Sequence, residues 1–387
     1  MNKNYIVFDV ETSTLNKGSP YDKDNTVVLW GFSCGSDFEI CSYPPSSIPS
    51  DKTIVGFNLK FDLGWCKRYE IPVDSLTIWD CQLAHYLLSG QSVPFPSLNG
   101  VAEVLGLGQK LDKVKEYWDA GIDTKDIPLD ELTAYLEQDL ILTEQVYLRQ
   151  VKAFENNPKL YELFKLQCED LLTLLDMEWN GIVVDVQGCK QKEEETEKEI
   201  ENLESQLVAL VGDSPINWSS NDHRSCLFYG GVLVTETRVP VGEYKTGLKA
   251  GQTRYKIVEY KYEFPRLVDP PKGSELKKEG YYSTDEDTLR NLRGGAKVKR
   301  LVDLLLARSG LEKLRGTYLV GIPKQLLQSN SFDGRLHGQF AQCTTRTGRI
   351  SSSSPVFKAS TSEGFVVVSL FVEDFGVVSV TAPACCA

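Results

Sequence analysis

The stretch YIVFDVETSTL, residues 5–15, opens with a run of β-branched and aromatic residues that reads as a strand, and the run carries two carboxylates, Asp9 and Glu11. Side chains alternate between the faces of a strand, so two residues spaced two apart project on the same side. Carboxylates crowded together repel one another unless a cation neutralises them. Mg²⁺ is a hard cation that takes oxygen ligands from one or two carboxylates, with the rest from water and phosphate, so the pair is a candidate metal site.

Further strand-like runs, NTVVLWGFSC (25–34) and KTIVGFN (52–58), alternate with helical patterns in LGWCKRYE (63–70), CQLAHYLLSG (81–90) and TAYLEQDLILTEQVYL (133–148). This alternation predicts an α/β domain that ends near residue 150. Two more carboxylates fall at telling places in it. In IVGFNLKFDLGW (54–65) an apolar strand runs out at Asn58, a residue type suited to capping a helix, and Asp62 follows one turn later. In YLEQDLILTEQVYL (135–148), Tyr135 and Asp139 are four apart and share one helix face. Asp9, Glu11, Asp62 and Asp139 together could hold two metal ions.

These residues resemble the DEDD family of 3′-to-5′ exonucleases, in the variant with Tyr one turn before the last Asp. The histidine variant would need His at position 134, which is Ala134. The intervening text WDCQLAHYLLSGQSVPFPSLNGVAEVLGLGQKLDKVKEYW (79–118) is similar to the proofreading domains of phage polymerases. The resemblance implies an RNase H-like fold with two Mg²⁺ or Mn²⁺ ions held by Asp9, Glu11, Asp62 and Asp139. Such metals, roughly 3.5 to 4 Å apart, activate water and stabilise a leaving 3′ oxygen. It implies that Tyr135 orients the attacking water through its hydroxyl, which an ordinary Tyr keeps protonated near neutral pH. Thr12, Leu15, Asn58 and Phe61 match positions that cradle the terminal nucleotide of a single-stranded DNA 3′ end.

Beyond residue 150, GCKQKEEETEKEIENLESQLVALVG (188–212) has the mixed charges and sparse apolar anchors of a long solvated helix. From Glu236 to Tyr282, Lys and Arg interleave with Tyr and β-branched residues between Gly and Pro, which predicts hairpins with a slight basic excess and a candidate phosphate-facing surface. Helical spacing returns over residues 296–327, with a break expected at Gly310. The segments at 171–186, 216–231, 283–292, 311–326 and 334–355 resemble, in order, the polymerase domain of family A DNA polymerases, the class of bacterial DNA polymerase I and many phage enzymes. That resemblance implies a domain at 1–150, a partial polymerase domain at 151–355 with thumb helices and the start of the palm, and an unassigned tail at 356–387. In TGRISSSSP (347–355), Thr347 and Arg349 match contacts to the primer–template backbone, for which a guanidinium and flanking hydroxyls are suited.

After this motif the family continues with palm aspartates and a nucleotide-binding helix. Here the chain runs on as a Val- and Ser-rich tail with no basic residue after Lys358, and Asp374 lacks the expected neighbours. The expectation is therefore a phage-type family A polymerase truncated before its palm, an exonuclease unable to polymerise by itself. The alternatives are an inert DNA-binding fragment, one half of a split polymerase that needs a second polypeptide, or a relative acting on RNA. A formal net charge of −12 argues against a wholly DNA-coating surface while leaving room for a local basic patch. Ten cysteines without paired CxxC spacing point to reduced thiols rather than a zinc site. With no signal peptide and no apolar run of membrane-spanning length, no membrane partner is expected, and the host-cell cytoplasm is the expected location.

Overall fold

The run around Asp9 is a strand, β1 (Tyr5–Thr12), and it lies at the centre of five. In the computed structural model its neighbours are β2 (Val27–Cys34), paired antiparallel, and β4 (Thr53–Gly56), paired parallel. The edges are β3 (Asp37–Cys41) and β5 (Thr77–Asp80), giving the order β3-β2-β1-β4-β5. The structure describes residues 4–108, 113–243, 245–246 and 251–353, and the backbone of the strands at 358–362, 365–370 and 378–381. Asp374 and the two cysteines near the C-terminus lie outside the described residues.

Helices cover the sheet: α1 (Leu59–Arg68), α2 (Cys81–Leu88), α3 (Leu98–Val104), α4 (Lys113–Asp119) and the long α5 (Leu129–Glu155), with α6 (Pro158–Asn180) packed on α1, α2 and α5. Helix α5 begins with Asp130 and Glu131 in its first turn, where the helix dipole favours negative charge. The buried face of α5, Leu132, Leu136, Leu140 and Val146, packs with Phe8, Trp30, Ile54 and Trp65 into one core. Each such fully buried aliphatic or Phe side chain contributes about 1.5–3 kcal/mol relative to exposure.

The chain divides into two compact units, residues 1–185 with 322–387, and residues 186–321. In the second unit, α7 (Val186–Val211) is long and mostly solvated, burying Thr196, Ile200 and Leu207. It is followed by α8 (Asn221–Tyr229), the hairpin β6 (Gly231–Glu243) and β7 (Thr253–Phe264), α9 (Glu286–Asn291) and α10 (Ala296–Lys313). Buried Arg308 ties α10 to α7 through Glu204 at 2.7 Å. The hairpin is a single two-stranded ribbon that starts at Gly231, five residues earlier than its sequence pattern indicates.

The helix break expected at Gly310 is not there. Helix α10 runs through Gly310, because Arg308 and Leu311 on either side are buried, and that packing outweighs a glycine cost of about 1 kcal/mol. Instead the backbone widens to a π-helical turn over Leu314–Val320 before α11 (Gly321–Ser329). A Cβ at Gly321 would lie 3.0 Å from the carbonyl oxygen of Gly316, five residues back.

In the first unit, β8 (Gln339–Ala341) pairs with β9 (Ser351–Ser353), and the tail backbone forms a separate three-stranded sheet, β10 (Lys358–Ser362), β11 (Phe365–Leu370) and β12 (Val378–Thr381). The described cysteines are all free, and burial pushes the thiols of Cys66, Cys81 and Cys168 upward, away from reactive thiolate. Among the described residues, no helix is long and apolar enough to cross a membrane.

Candidate functional site

Asp9 and Glu11 project from the middle of β1 on one face, as their spacing dictates, with Glu11 buried and Asp9 half-buried. Helix α5 crosses that face. Its approach is set by Gly31, the β2 residue directly opposite Asp9 in the antiparallel register. A Cβ there would stand 2.9 Å from Leu136 and 3.0 Å from Leu140, so a bare backbone at this point lets α5 settle against the sheet. Asp139 is thereby carried to the two strand carboxylates, and one oxygen from each of Asp9, Glu11 and Asp139 lies within 4.8 Å of the others.

Asp62, on the first turn of α1, is 2% exposed and meets the same strand. It accepts a hydrogen bond from the backbone N–H of Val10 at 3.2 Å, and its carboxyl lies within hydrogen-bonding reach of Asp9. Burial, reinforced by repulsion from Asp9, pushes the Asp62 carboxyl well above the usual carboxylate range. Three carboxylates within 4.8 Å of one another form an all-oxygen donor set, which suits Mg²⁺ or Mn²⁺. The acidic triad Asp9, Glu11 and Asp139 could bind such an ion.

Tyr135 stands one turn before Asp139 on α5, half-buried, its ring edge-on to Trp118 of α4 at 5.7 Å. Trp118 is held in turn by its indole N–H donating to Thr124 at 3.1 Å. Of the residues expected to receive a nucleotide, Thr12 and Phe61 converge beside Gly18. A Cβ on Gly18, whose φ is +72°, would lie 2.4 Å from the Thr12 hydroxyl and 3.3 Å from the Phe61 ring. Leu15 is exposed on the 3₁₀ turn Leu15–Gly18 just before that glycine.

Asn58 corrects the sequence reading. It occupies the N-cap position of α1, but its backbone is left-handed, with φ 60° and ψ 46°, and its side chain makes no capping bond. The cap is supplied by Asp80, which accepts from the backbone N–H of Leu59 at 2.7 Å and also caps α2 through Leu83 at 2.9 Å. The Asn58 side chain is left exposed at the start of the helix that carries Asp62. Sequence reasoning passed over Asp80, although an Asp between a strand and a helical run, as in TIWDCQLAHYLL, is a capping signal.

Thr347 and Arg349 lie elsewhere, exposed on the turn between β8 and β9, where the Thr345 hydroxyl donates to the Arg349 carbonyl at 2.6 Å. This turn follows Cys343, whose carbonyl accepts from Phe95 in the loop after α2. The same strand is joined to α1 and α6 by a second feature absent from the sequence reading. Lys60 pairs with buried Glu178 and donates to the Phe340 carbonyl, while the Phe340 N–H donates to Glu178 at 2.6 Å.

A mixed sheet with a carboxylate cluster on its central strand defines a class, the α/β domains that gather acidic side chains around candidate metal sites. Comparison with known proteins matches two parts of the chain to families. Residues 1–151 match the family described as 3'-5' exonuclease, and residues 264–373 match DNA polymerase family A. The chain thus carries a mixed α/β 3′-5′ exonuclease domain followed by a helical family A DNA polymerase region. Among curated relatives, DNA polymerase I of Streptococcus pneumoniae is 26% identical over 373 residues, 92% of this chain and 36% of the relative. The thermostable DNA polymerase I of Thermus filiformis is 30% identical over 182 residues, 47% of this chain and 17% of the relative. The chain therefore spans well under half the length of these relatives. Among solved structures, the POL domain of Pol1 from M. smegmatis, in complex with DNA primer-template and dNTP, superposes with a TM-score of 0.60 at 16% identity, covering 91% of this chain and 51% of that one.

Proposed function

We propose that this chain removes nucleotides from DNA 3′ ends by metal-dependent hydrolysis, as the proofreading part of a phage-type family A DNA polymerase. The observation that carries the reading is the convergence of Asp9, Glu11 and Asp139, with Asp62 against Asp9, in a domain matching 3′-5′ exonucleases. The similarity of residues 79–118 to phage proofreading domains supports the phage-type assignment.

Asp9, Glu11, Asp62 and Asp139 would hold a pair of divalent cations, which when bound supply activation of water and neutralisation of the leaving 3′ oxygen. The chain's own groups do the rest. Tyr135 hydrogen-bonds the attacking water and fixes its direction in line with the scissile bond. Phe61 offers a face for the terminal base, and Thr12, Leu15 and Asn58 border the sugar and phosphate. Thr347 and Arg349 would hold a primer–template backbone, with the hydroxyl and guanidinium donating to phosphate oxygens. No described residue is assigned to nucleotidyl transfer.

The test uses a 5′-labelled primer annealed to a template with Mg²⁺, with and without nucleotides, comparing the unaltered chain with Asp9→Ala. Shortening of the primer that the substitution abolishes is the expected result. Shortening that persists in Asp9→Ala, or none in either protein, would overturn the assignment, and extension would place polymerisation within this chain as well.

A further inference from the structure

The β6–β7 ribbon sorts its charges by face. Directly opposed residues of an antiparallel pair share a face, so the register fixes which side chains stand together. On one face lie Glu236 opposite Glu259, Arg238 opposite Ile257, Val234 opposite Lys261 and Val232 opposite Glu263. The other face carries Leu233 opposite Tyr262, Thr235 opposite Tyr260, Thr237 opposite Val258 and Val239 opposite Lys256. After the irregularity between Pro240 and Gly242, Gly242 pairs with Arg254, which falls on that second face, and Glu243 pairs with Thr253 on the first. All four acidic residues of the two strands are therefore on one side. The opposite side has no acidic residue and presents Arg254 and Lys256 with Tyr260, Thr237 and Val258.

Only the base of this acid-free face is used by the fold. Leu233 is buried and Tyr262 half-buried in the core of the second unit, whereas Thr237, Arg254, Lys256 and Tyr260 are exposed. From Thr235 to Glu243 the ribbon extends about 25 Å at the usual rise of a strand. Among the described residues, neither Arg254 nor Lys256 enters an ion pair. A chain of net charge −12 that keeps one ribbon face free of acid and furnished with cations, hydroxyls and an aromatic ring presents complementarity to a polyanion. A two-stranded ribbon also has the width that the major groove of duplex DNA admits.

We infer that the acid-free face of the β6–β7 ribbon is a docking surface for the sugar-phosphate backbone of duplex DNA, held by Arg254 and Lys256. The choice of DNA over other polyanions rests on the function proposed above. The contact itself is sequence-independent, since it reads phosphates and no base edge is assigned.

The experiment measures binding of a fluorescent primer–template duplex to the full chain by anisotropy, without divalent metal, across a salt series. Asp9→Ala serves as the background, so that nuclease failure leaves the readout intact. Arg254→Glu with Lys256→Glu is compared with Arg238→Glu and Lys261→Glu, which reverse the same number of charges on the acid-bearing face. The expected result is a loss of affinity of about tenfold or more for the first pair, with the slope of log K against log salt reduced by about 1.8 for two lost phosphate contacts. The second pair should change affinity less than twofold. Equal losses for the two pairs, or no loss for the first, would overturn the inference. So would a ribbon that dimerises the chain, seen as a fall in mass by light scattering in the first pair without any change in DNA binding. Each ribbon substitution is exposed, and unaltered thermal melting confirms that the fold persists.

Discussion

Asp62 is the residue at which burial and repulsion from Asp9 meet. Its carboxyl is buried beside Asp9, so without a cation the folded protein favours the protonated form, above all because burial penalises charge and next because Asp9 repels it. The folded pKa lies above the unfolded value of about 3.9, so the stability this group contributes is complete below that value. It is lost as pH rises through the folded pKa, because the unfolded chain releases its proton first. A divalent cation held by Asp62, as proposed above, would reverse the preference, since it would require the carboxylate and displace the proton. The expected outcome is a metal-free protein whose melting temperature falls as pH rises from about 4, and a Mg²⁺ increment that grows over the same window. Thermal melts with and without Mg²⁺ measure both, and Asp62→Asn should flatten both curves. Persistence of the slope in Asp62→Asn would assign the effect to another group.

At the scale of elements, the site is a matter of how closely two helices approach one sheet. Helix α5 is admitted by Gly31, and α1 is pinned by Asp80, which caps it through Leu59 and caps α2 through Leu83. Gly31→Val should push α5 outward and move Asp139 and Tyr135 away from β1. A displacement near 1 Å would lower nuclease turnover on the order of 10²-fold while the helical circular dichroism remains. Unchanged turnover would show that α5 can shift without moving Asp139 away from Asp9 and Glu11. The Lys60–Glu178 pair joins α1 to α6 and to the Phe340 backbone. Burial raises the Glu178 carboxyl despite the attraction of Lys60, so desolvation is the larger effect. Lys60→Met leaves that carboxylate buried without its cation and should cost about 3–5 kcal/mol in urea denaturation. A loss below about 1 kcal/mol would mean that water reaches Glu178 in the variant.

For the molecule as a whole, the carboxylate cluster belongs to one compact unit and the ribbon to the other. Mg²⁺ at 100 times its dissociation constant should stabilise the first unit by about 2.7 kcal/mol through mass action. Asp139→Ala or EDTA should remove the gain. In calorimetry only the transition of the cation-holding unit should move, and an equal shift of every transition would show that the units unfold as one.

Much of this architecture is local in origin and was legible in the residues. Alternation in YIVFDVET placed Asp9 and Glu11 on one face, four-residue spacing put Tyr135 and Asp139 on another, and the resemblance through residues 1–150 joined them into one expected site. Other features depend on partners distant in the chain. Asn58 looked like the cap of α1, yet Asp80, twenty-two positions on, holds that place because β4 and β5 lie side by side. Gly310 looked like a break, yet packing against α7 carries the helix past it. The sequence by itself determined the runs that became β1, β2 and β4, the helical runs of α1, α2 and α5, and the identity of the acidic residues, since these follow from short-range periodicity and chemistry. Only the tertiary structure decided the closeness of α5 to the sheet, the raised Asp62 carboxyl and the division of charge across the ribbon. Each of these arises when segments remote in sequence exclude water from, or align, the same small volume.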